Sequence, residues 1–196
     1  MLYECATKLT DSLCRRYPLE KSRRSVFLYG FELLISTSLG VLSVMLFSVL
    51  LASLASAITF LFVFMALRSF SGGLHAKTYA RCFILTNFTF FSVLGISTLI
   101  STLSLLPAQL LCSFFVAMSV LVIFLLAPVR NKHHHLSEIR YVCNKKISRS
   151  LAVLIGAVTL LFLLIAPLSQ ITQVAAVTMA AVAVMMIIPI LNERRA

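Results

Sequence analysis

Charged side chains are scarce in this sequence, and long parts of it lack them entirely. Only 12% of the 196 residues are charged, 60% are hydrophobic, and the mean hydropathy is +1.02. A soluble domain of this size needs more polar surface than that to cover its exterior. The scarcity of charge therefore excludes a soluble protein and indicates an integral membrane protein.

Three stretches contain no Asp, Glu, Lys or Arg: residues 33–67, 82–129 and 150–192. A membrane-spanning helix needs roughly 20 apolar residues, so each stretch predicts two crossings. Pro107 divides the second stretch and residues 167–170 divide the third, whereas only Ser48, Ser53 and Ser56 mark the first. The predicted fold is an all-α integral membrane protein with six transmembrane helices in three hairpins.

The basic residues test this topology independently. The 17 Lys and Arg fall in four groups, at residues 8–24, 68–81, 130–149 and 194–195. Six crossings place all four groups on one side, and cytoplasmic loops are the ones that collect Lys and Arg. We therefore predict that both termini are cytoplasmic. The net charge of +11 then indicates orientation and contact with anionic lipid rather than nucleic-acid binding.

The N-terminal segment, residues 1–31, has the pattern of an amphipathic surface helix on the inner leaflet. Its apolar residues recur at spacings of three and four: Leu2, Ala6, Leu9, Leu13 and Tyr17. Glu4/Lys8 and Asp11/Arg15 are predicted i,i+4 pairs. We expect no signal peptide, because acidic residues interrupt the segment and no short apolar core with a cleavage site follows. Residues 1–196 are predicted to form a single polytopic domain.

A basic loop with catalytic potential, residues 68–82, reads RSFSGGLHAKTYARC. A cysteine nucleophile acts as the thiolate, and a free Cys has a pKa of about 8.5, so it needs a base or a positive environment. Cys82 is expected in or near the first turn of the third crossing, where the helix dipole favours an anion. Lys77 and Arg81 add positive charge, Arg68 is a further candidate, and His75 is the nearest histidine.

Geometry sets a condition on a Cys82–His75 dyad. On one straight helix the two residues are separated by about 10.5 Å of rise, too far for a hydrogen bond. Gly72 and Gly73 favour a break, so residues 67–80 are predicted not to form one straight helix. Spacing alone leaves a second interpretation open, in which the segment is an ordinary basic loop without catalytic function.

The stretch RSFSGGLHAKTYARC, placed after two crossings, resembles the signature of the accessory gene regulator B (AgrB) family of membrane peptidases. The resemblance extends over nearly the whole chain, including the amphipathic N-terminus, the paired crossings and a second basic loop, 127–150, that opens with Ala127-Pro128. AgrB proteins remove the C-terminal tail of a short quorum-sensing precursor, AgrD, and in many cases close the remainder into a thiolactone or lactone. The resemblance thus implies a multi-pass protein of the bacterial cytoplasmic membrane.

The resemblance also implies residue roles. Cys82 resembles the nucleophile, His75 its base, Gly73 the required glycine and Arg68 the required arginine. In the second loop Arg130 and Lys132 resemble the basic residues after the Ala-Pro pair, but His133-His134-His135 stands where relatives often carry Lys-Pro. This departure lies in the second loop and not in the segment that holds His75 and Cys82.

An AgrD-like peptide is the implied partner, and dimerisation is an expectation for the family. The cations Lys77, Arg81, Arg130 and Lys132 are candidates for binding its acidic tail. They are equally well explained as residues that fix the topology. No cofactor or metal is expected.

Two other functional classes stay open. His133–His135 with Cys143 would suit a zinc-dependent membrane enzyme, although consecutive histidines converge poorly on one ion and no H-E-x-x-H helix occurs. A transporter or permease-like protein is motivated by the paired crossings alone, and no charged residue lies deep within a crossing to form an ion relay. Asn87 and Glu32 could orient a catalytic imidazole but are better explained as packing residues.

Overall fold

The computed structural model describes residues 2–16, 21–51, 53–72, 79–129, 138–166 and 169–195. These residues form seven helices and no strand: α1 (Leu2–Arg16), α2 (Lys21–Leu50), α3 (Leu54–Ser71), α4 (Tyr79–Ser101), α5 (Leu105–Leu126), α6 (Glu138–Ile165) and α7 (Gln170–Arg195). Six of them, α2 to α7, are long and apolar enough to cross a membrane. The predicted all-helical fold with six long apolar helices is confirmed.

The breaks between helices lie close to the positions that the sequence indicated. α4 ends at Ser101 and α5 begins at Leu105, so Pro107 lies inside the first turn of α5 rather than at the break. A proline is tolerated there because the first backbone N–H groups of a helix have no intrahelical partner. Between α2 and α3 the chain turns at residues 51–53, where the Ser53 N–H donates to the Ser48 carbonyl at 2.8 Å.

The last crossing, α7, is the centre of the helical bundle. It packs against α3, α4 and α5. Every residue from 172 to 179 is buried, and this run includes the small residues Ala175, Ala176 and Thr178. Small side chains let helix backbones approach closely, which is how helices associate where lipid is as apolar as the side chains. The run of small side chains in α7 therefore lies in the interior of the bundle.

The outer crossings present large apolar side chains to the exterior. Leu46 of α2 and Leu110 of α5 are 62% and 64% exposed. Where α5 meets α6 the contact is close, because a Cβ on Gly156 of α6 would lie 2.8 Å from Cγ2 of Val120. Exposed leucine on a helix of this length is the pattern expected for a surface that faces lipid.

The N-terminal helix α1 packs along α2. Ala6 and Thr10 of α1 are fully buried, whereas Leu9, predicted on the same apolar face as Ala6, is 47% exposed. Asp11 pairs with Arg24 of α2 at 2.6 Å, where the spacing had predicted Arg15. The sequence identified the helix, but its buried face is decided by packing against α2.

Two predicted segments are partly incorporated into crossings. α2 begins at Lys21, so the last part of residues 1–31 belongs to the first crossing. The segment 127–150, expected as a basic loop, is helical from Glu138 onward as the first turns of α6. Basic side chains at a membrane boundary do not prevent a helix from continuing, because Lys and Arg are themselves good helix formers.

Candidate functional site

α3 ends just upstream of His75, at the glycine pair where the sequence predicted a break; the bend that a Cys82–His75 dyad requires between the two residues stays a prediction. α3 ends at Ser71, and Gly72 follows with φ 71° and ψ −150°, a backbone conformation essentially restricted to glycine. α4 begins at Tyr79, which confirms that residues 67–80 do not form one straight helix. Gly73, His75 and Lys77 lie outside the described residues, so the position of the imidazole relative to Cys82 stays a prediction.

Cys82 is the fourth residue of α4 and is partly exposed. Its carbonyl accepts a hydrogen bond from the Thr86 hydroxyl at 3.0 Å. The first four N–H groups of a helix lack intrahelical acceptors and carry the positive end of the helix dipole, which favours an anion nearby. The predicted location of Cys82 in or near the first turn is confirmed.

Arg68 lies in the last turn of α3 and is within electrostatic range of Cys82 near the start of α4. The two side chains are close enough for an electrostatic interaction between the guanidinium and the sulfur. Nη1 of Arg68 donates to Sδ of Met185 on α7 at 3.3 Å. The guanidinium carbon also lies 5.5 Å from the centroid of the Phe64 ring, within the range of a cation–π interaction. The guanidinium is thus held by two buried side chains.

Met185 is a site neighbour that the sequence analysis missed. It lies in an apolar run of α7, and its contact with Arg68 spans 117 residues of sequence. No local pattern distinguishes Met185 from Met186 beside it, so only the packing of α7 against α3 reveals the contact.

The second basic segment begins against the end of α3, in what we call the Ser71–Val129 junction, made of Ser71, Gly72 and Val129. The Val129 N–H donates to the Ser71 carbonyl at 3.1 Å. A Cβ on Gly72 would lie 3.1 Å from the Val129 carbonyl oxygen. Ala127 and Pro128, joined by a cis peptide bond, are buried just before it. The segments 68–82 and 127–150, which their basic residues had placed on the same side of the membrane, therefore meet through backbone contacts.

The remaining predicted substrate contacts are described only in part. Arg81 precedes Cys82 on α4 and is exposed. Arg130 and Lys132, together with His133–His135, lie outside the described residues. Within the described ranges no group of three or more His, Cys, Asp or Glu residues could hold a metal ion.

Asn87 acts as a packing residue between α2 and α4. Its Nδ2 donates to the Phe83 carbonyl at 2.9 Å, and its Oδ1 accepts from the Ser43 hydroxyl of α2 at 2.9 Å. Both ends of the amide are engaged, one with the backbone of α4 and one with α2. This is the role that the sequence favoured for Asn87.

Together, the six apolar helices and the partly exposed cysteine at a helix start define a multi-pass membrane protein with a candidate thiol site. The chain matches the family described as Accessory gene regulator B over residues 6–189, nearly its whole length, and it belongs to that family. No curated protein and no solved structure matches it. Membership implies a part in processing agr quorum-sensing peptides, with an AgrD-type precursor as substrate.

Proposed function

We propose that this protein is a membrane cysteine endopeptidase that removes the C-terminal tail of an AgrD-type precursor and closes the remaining peptide into a thiolactone or lactone. Cys82 is the nucleophile and His75 its base. The observation that supports the proposal is the position of Cys82 in the first turn of α4, within electrostatic range of the guanidinium of Arg68. Family membership supplies the substrate class.

The first step is acyl transfer to the enzyme. The Cys82 thiolate attacks the carbonyl that precedes the tail, and a carbon–sulfur bond forms as the peptide carbon–nitrogen bond breaks. His75 takes the thiol proton before the attack and gives it to the departing amine, so the tail leaves as a neutral amine. The precursor remains attached to Cys82 as a thioester.

The second step releases the product. A Cys or Ser side chain within the bound peptide attacks the thioester carbonyl, its proton passes to His75, and the bond to Cys82 breaks. Attack by water instead would give a linear peptide. Phe64 and Met185, the neighbours of Arg68, are buried apolar side chains. An apolar surrounding at the membrane boundary limits water and thereby favours ring closure.

Arg68 is proposed to stabilise negative charge on the Cys82 sulfur. A guanidinium is always protonated, and a half-buried charge is screened less by water and salt than an exposed one. Its contacts with Phe64 and Met185 fix the charge in place, so little reorganisation is needed when the thiolate forms.

The membrane arrangement proposed for this function is three hairpins with both termini in the cytoplasm of a bacterial cell. Connections of three or four residues, at 51–53, 102–104 and 166–169, favour antiparallel neighbours. All Lys and Arg then lie on the cytoplasmic side with Cys82. Lys77, Arg81, Arg130 and Lys132 are the proposed contacts for an acidic tail, and anionic lipid and a second copy of the chain are proposed partners.

Reconstitution into liposomes tests the chemistry. The protein is supplied with the precursor peptide from the neighbouring reading frame, and tail release and ring closure are followed by mass spectrometry. Cys82→Ala and His75→Ala are expected to release no tail above background. Cys143→Ala is the matched control, because Cys143 is also a free cysteine but lies exposed on α6. This control is expected to retain the wild-type rate.

Other outcomes assign other functions. Normal cleavage by Cys82→Ala or His75→Ala would refute the dyad. Complete loss of activity in the presence of a chelator would indicate a zinc-dependent enzyme. If no short peptide is processed under any condition, a transporter or permease-like function becomes the better explanation.

A further inference from the structure

Arg149 of α6 has a positively charged side chain with no acidic partner in the described part of the chain. Its guanidinium carbon lies 4.3 Å from the centroid of the Phe124 ring on α5. Its Nε is buried and makes no hydrogen bond there. A partly buried charge without a counter-ion is costly, so a bound anion at the accessible tip of the guanidinium would stabilise this arrangement.

The surroundings of Arg149 are positive. Lys145 and Lys146 precede it by four and three residues, so both lie within one turn on the same side of α6. α5 contains no charged residue, and Glu138 is the sole acid of α6. Glu138 is separated from Arg149 by about 16 Å of helix rise. Three cations therefore share this region of α6 without a nearby carboxylate on α5 or α6.

The position of Phe124 points to a lipid rather than a protein partner. Phe124 is 46% exposed, two residues before the end of α5, and Leu121 and Leu125 beside it are 50% and 66% exposed. Helical side chains lean toward the N-terminus of their helix, so Arg149 leans toward Lys145 and the polar end of its crossing. The guanidinium thus lies at the edge of a surface that faces acyl chains.

We propose that Arg149, Phe124, Lys145 and Lys146 bind the headgroup of an anionic phospholipid. The lipid phosphate accepts hydrogen bonds from the Nη groups at the tip of the partly exposed Arg149 side chain, and the two lysines add attraction to the same negative charge. The acyl chains lie along the exposed leucines of α5. This site involves α5 and α6, and its occupation does not depend on the catalytic proposal.

Lipid titration of the purified full chain in a neutral detergent tests the site. The probe is a fluorescent short-chain phosphatidylglycerol, compared with phosphatidylcholine of the same chain length. Arg149→Gln is expected to weaken phosphatidylglycerol binding about fivefold, the factor typical of one basic residue at a membrane surface. Phe124→Leu, which keeps the apolar surface but removes the ring, is expected to weaken it by roughly two- to fivefold.

Arg140→Gln is the matched control, since it removes the same charge from the exposed start of α6. Its affinity should stay within about twofold of wild type, because a screened charge away from the headgroup contributes little. Arg149→Lys keeps the charge without the planar guanidinium and its paired Nη donors, and should bind with intermediate affinity. Circular dichroism of each variant checks that the helices are intact, and Arg149→Lys provides the test if Arg149→Gln does not fold.

Four results would overturn the proposal. Equal weakening by Arg149→Gln and Arg140→Gln would show diffuse attraction without a site. Equal affinity for phosphatidylcholine would show that the headgroup charge is not recognised. Displacement of the probe by millimolar glycerol phosphate would show a site for small anions. Displacement by a short acidic peptide, in wild type but not in Arg149→Gln, would assign the site to a peptide instead.

Discussion

Replacement of Gly72 by alanine tests whether the Ser71–Val129 junction holds the candidate site together. Gly72 has φ 71° and ψ −150°, and a Cβ there would lie 3.1 Å from the carbonyl oxygen and 3.4 Å from the nitrogen of Val129. Both atoms belong to the backbone, so they cannot move aside as a flexible side chain would. The backbone hydrogen bond from Val129 to Ser71 must then shift as well.

The expected cost follows from the backbone conformation. A residue other than glycine in this region of φ and ψ is strained by about 1–3 kcal/mol. For a chain of this length, such a loss corresponds to a decrease of about 2–12 °C in the midpoint of thermal unfolding. Because Gly72 lies between Arg68 and the His75 segment, we also expect the rate of precursor cleavage to fall.

Thermal unfolding in detergent and cleavage in liposomes measure the two effects. Gly95→Ala is the matched control, since Gly95 lies within α4 and a Cβ there would meet nothing within 4 Å. Alanine in a helix interior is favoured over glycine by roughly 0.5–1 kcal/mol, so this variant should be at least as stable as wild type.

The comparison has a clear refuting result. If Gly72→Ala and Gly95→Ala unfold at the same temperature and cleave the precursor at the same rate, then Gly72 is not required for its backbone conformation. The Ser71–Val129 junction would in that case not position the site.

Two further substitutions test the packing of the bundle. Gly156→Val should lower the free energy of unfolding by about 1–3 kcal/mol, because the new side chain would overpack against Val120. The control Gly95→Val should cost well under 1 kcal/mol, since a Cβ at Gly95 meets nothing within 4 Å. Similar melting temperatures for the two variants would contradict the close contact of α5 and α6. Gln173→Met should raise the free energy of unfolding by about 1–3 kcal/mol, because the buried amide of Gln173 has no partner in the described part of the chain. The control Gln109→Met should instead lower it by about 1 kcal/mol, because it removes the hydrogen bond to the Leu163 carbonyl. A loss of stability in Gln173→Met would show that the Gln173 amide is satisfied.

The crossings were predictable because their signal is local. Roughly 20 consecutive apolar residues suffice to predict a spanning helix, wherever that helix lies in the bundle. The exact breaks were less accessible. Pro107 marked the second break only approximately, because a proline fits the first turn of α5 as well as it fits a turn. Serines occur in helices and in turns alike, so they could not place the first break at residues 51–53.

In the candidate site, too, some features were predictable from local sequence and others were not. The glycine pair predicted the end of α3, and the onset of the apolar run predicted that Cys82 lies at the start of α4, since both are local signals. The contacts of Arg68 with Met185 and of Ser71 with Val129 join residues far apart in the chain. Such contacts depend on which helices pack together, and hydrophobic pattern does not specify that.

The sequence by itself determined that this chain is a membrane protein with six apolar helices, with its cations in four groups and Cys82 at the start of the third of these helices. Tertiary structure decided that α7 lies at the centre, and that its Met185 contacts Arg68, which interacts electrostatically with Cys82. The physical reason is the solvent. Lipid is as apolar as a leucine side chain, so hydrophobicity shows which segments cross but not which faces turn inward. Contacts between small residues and hydrogen bonds between backbones determine which faces turn inward, and these interactions form only when the helices pack together.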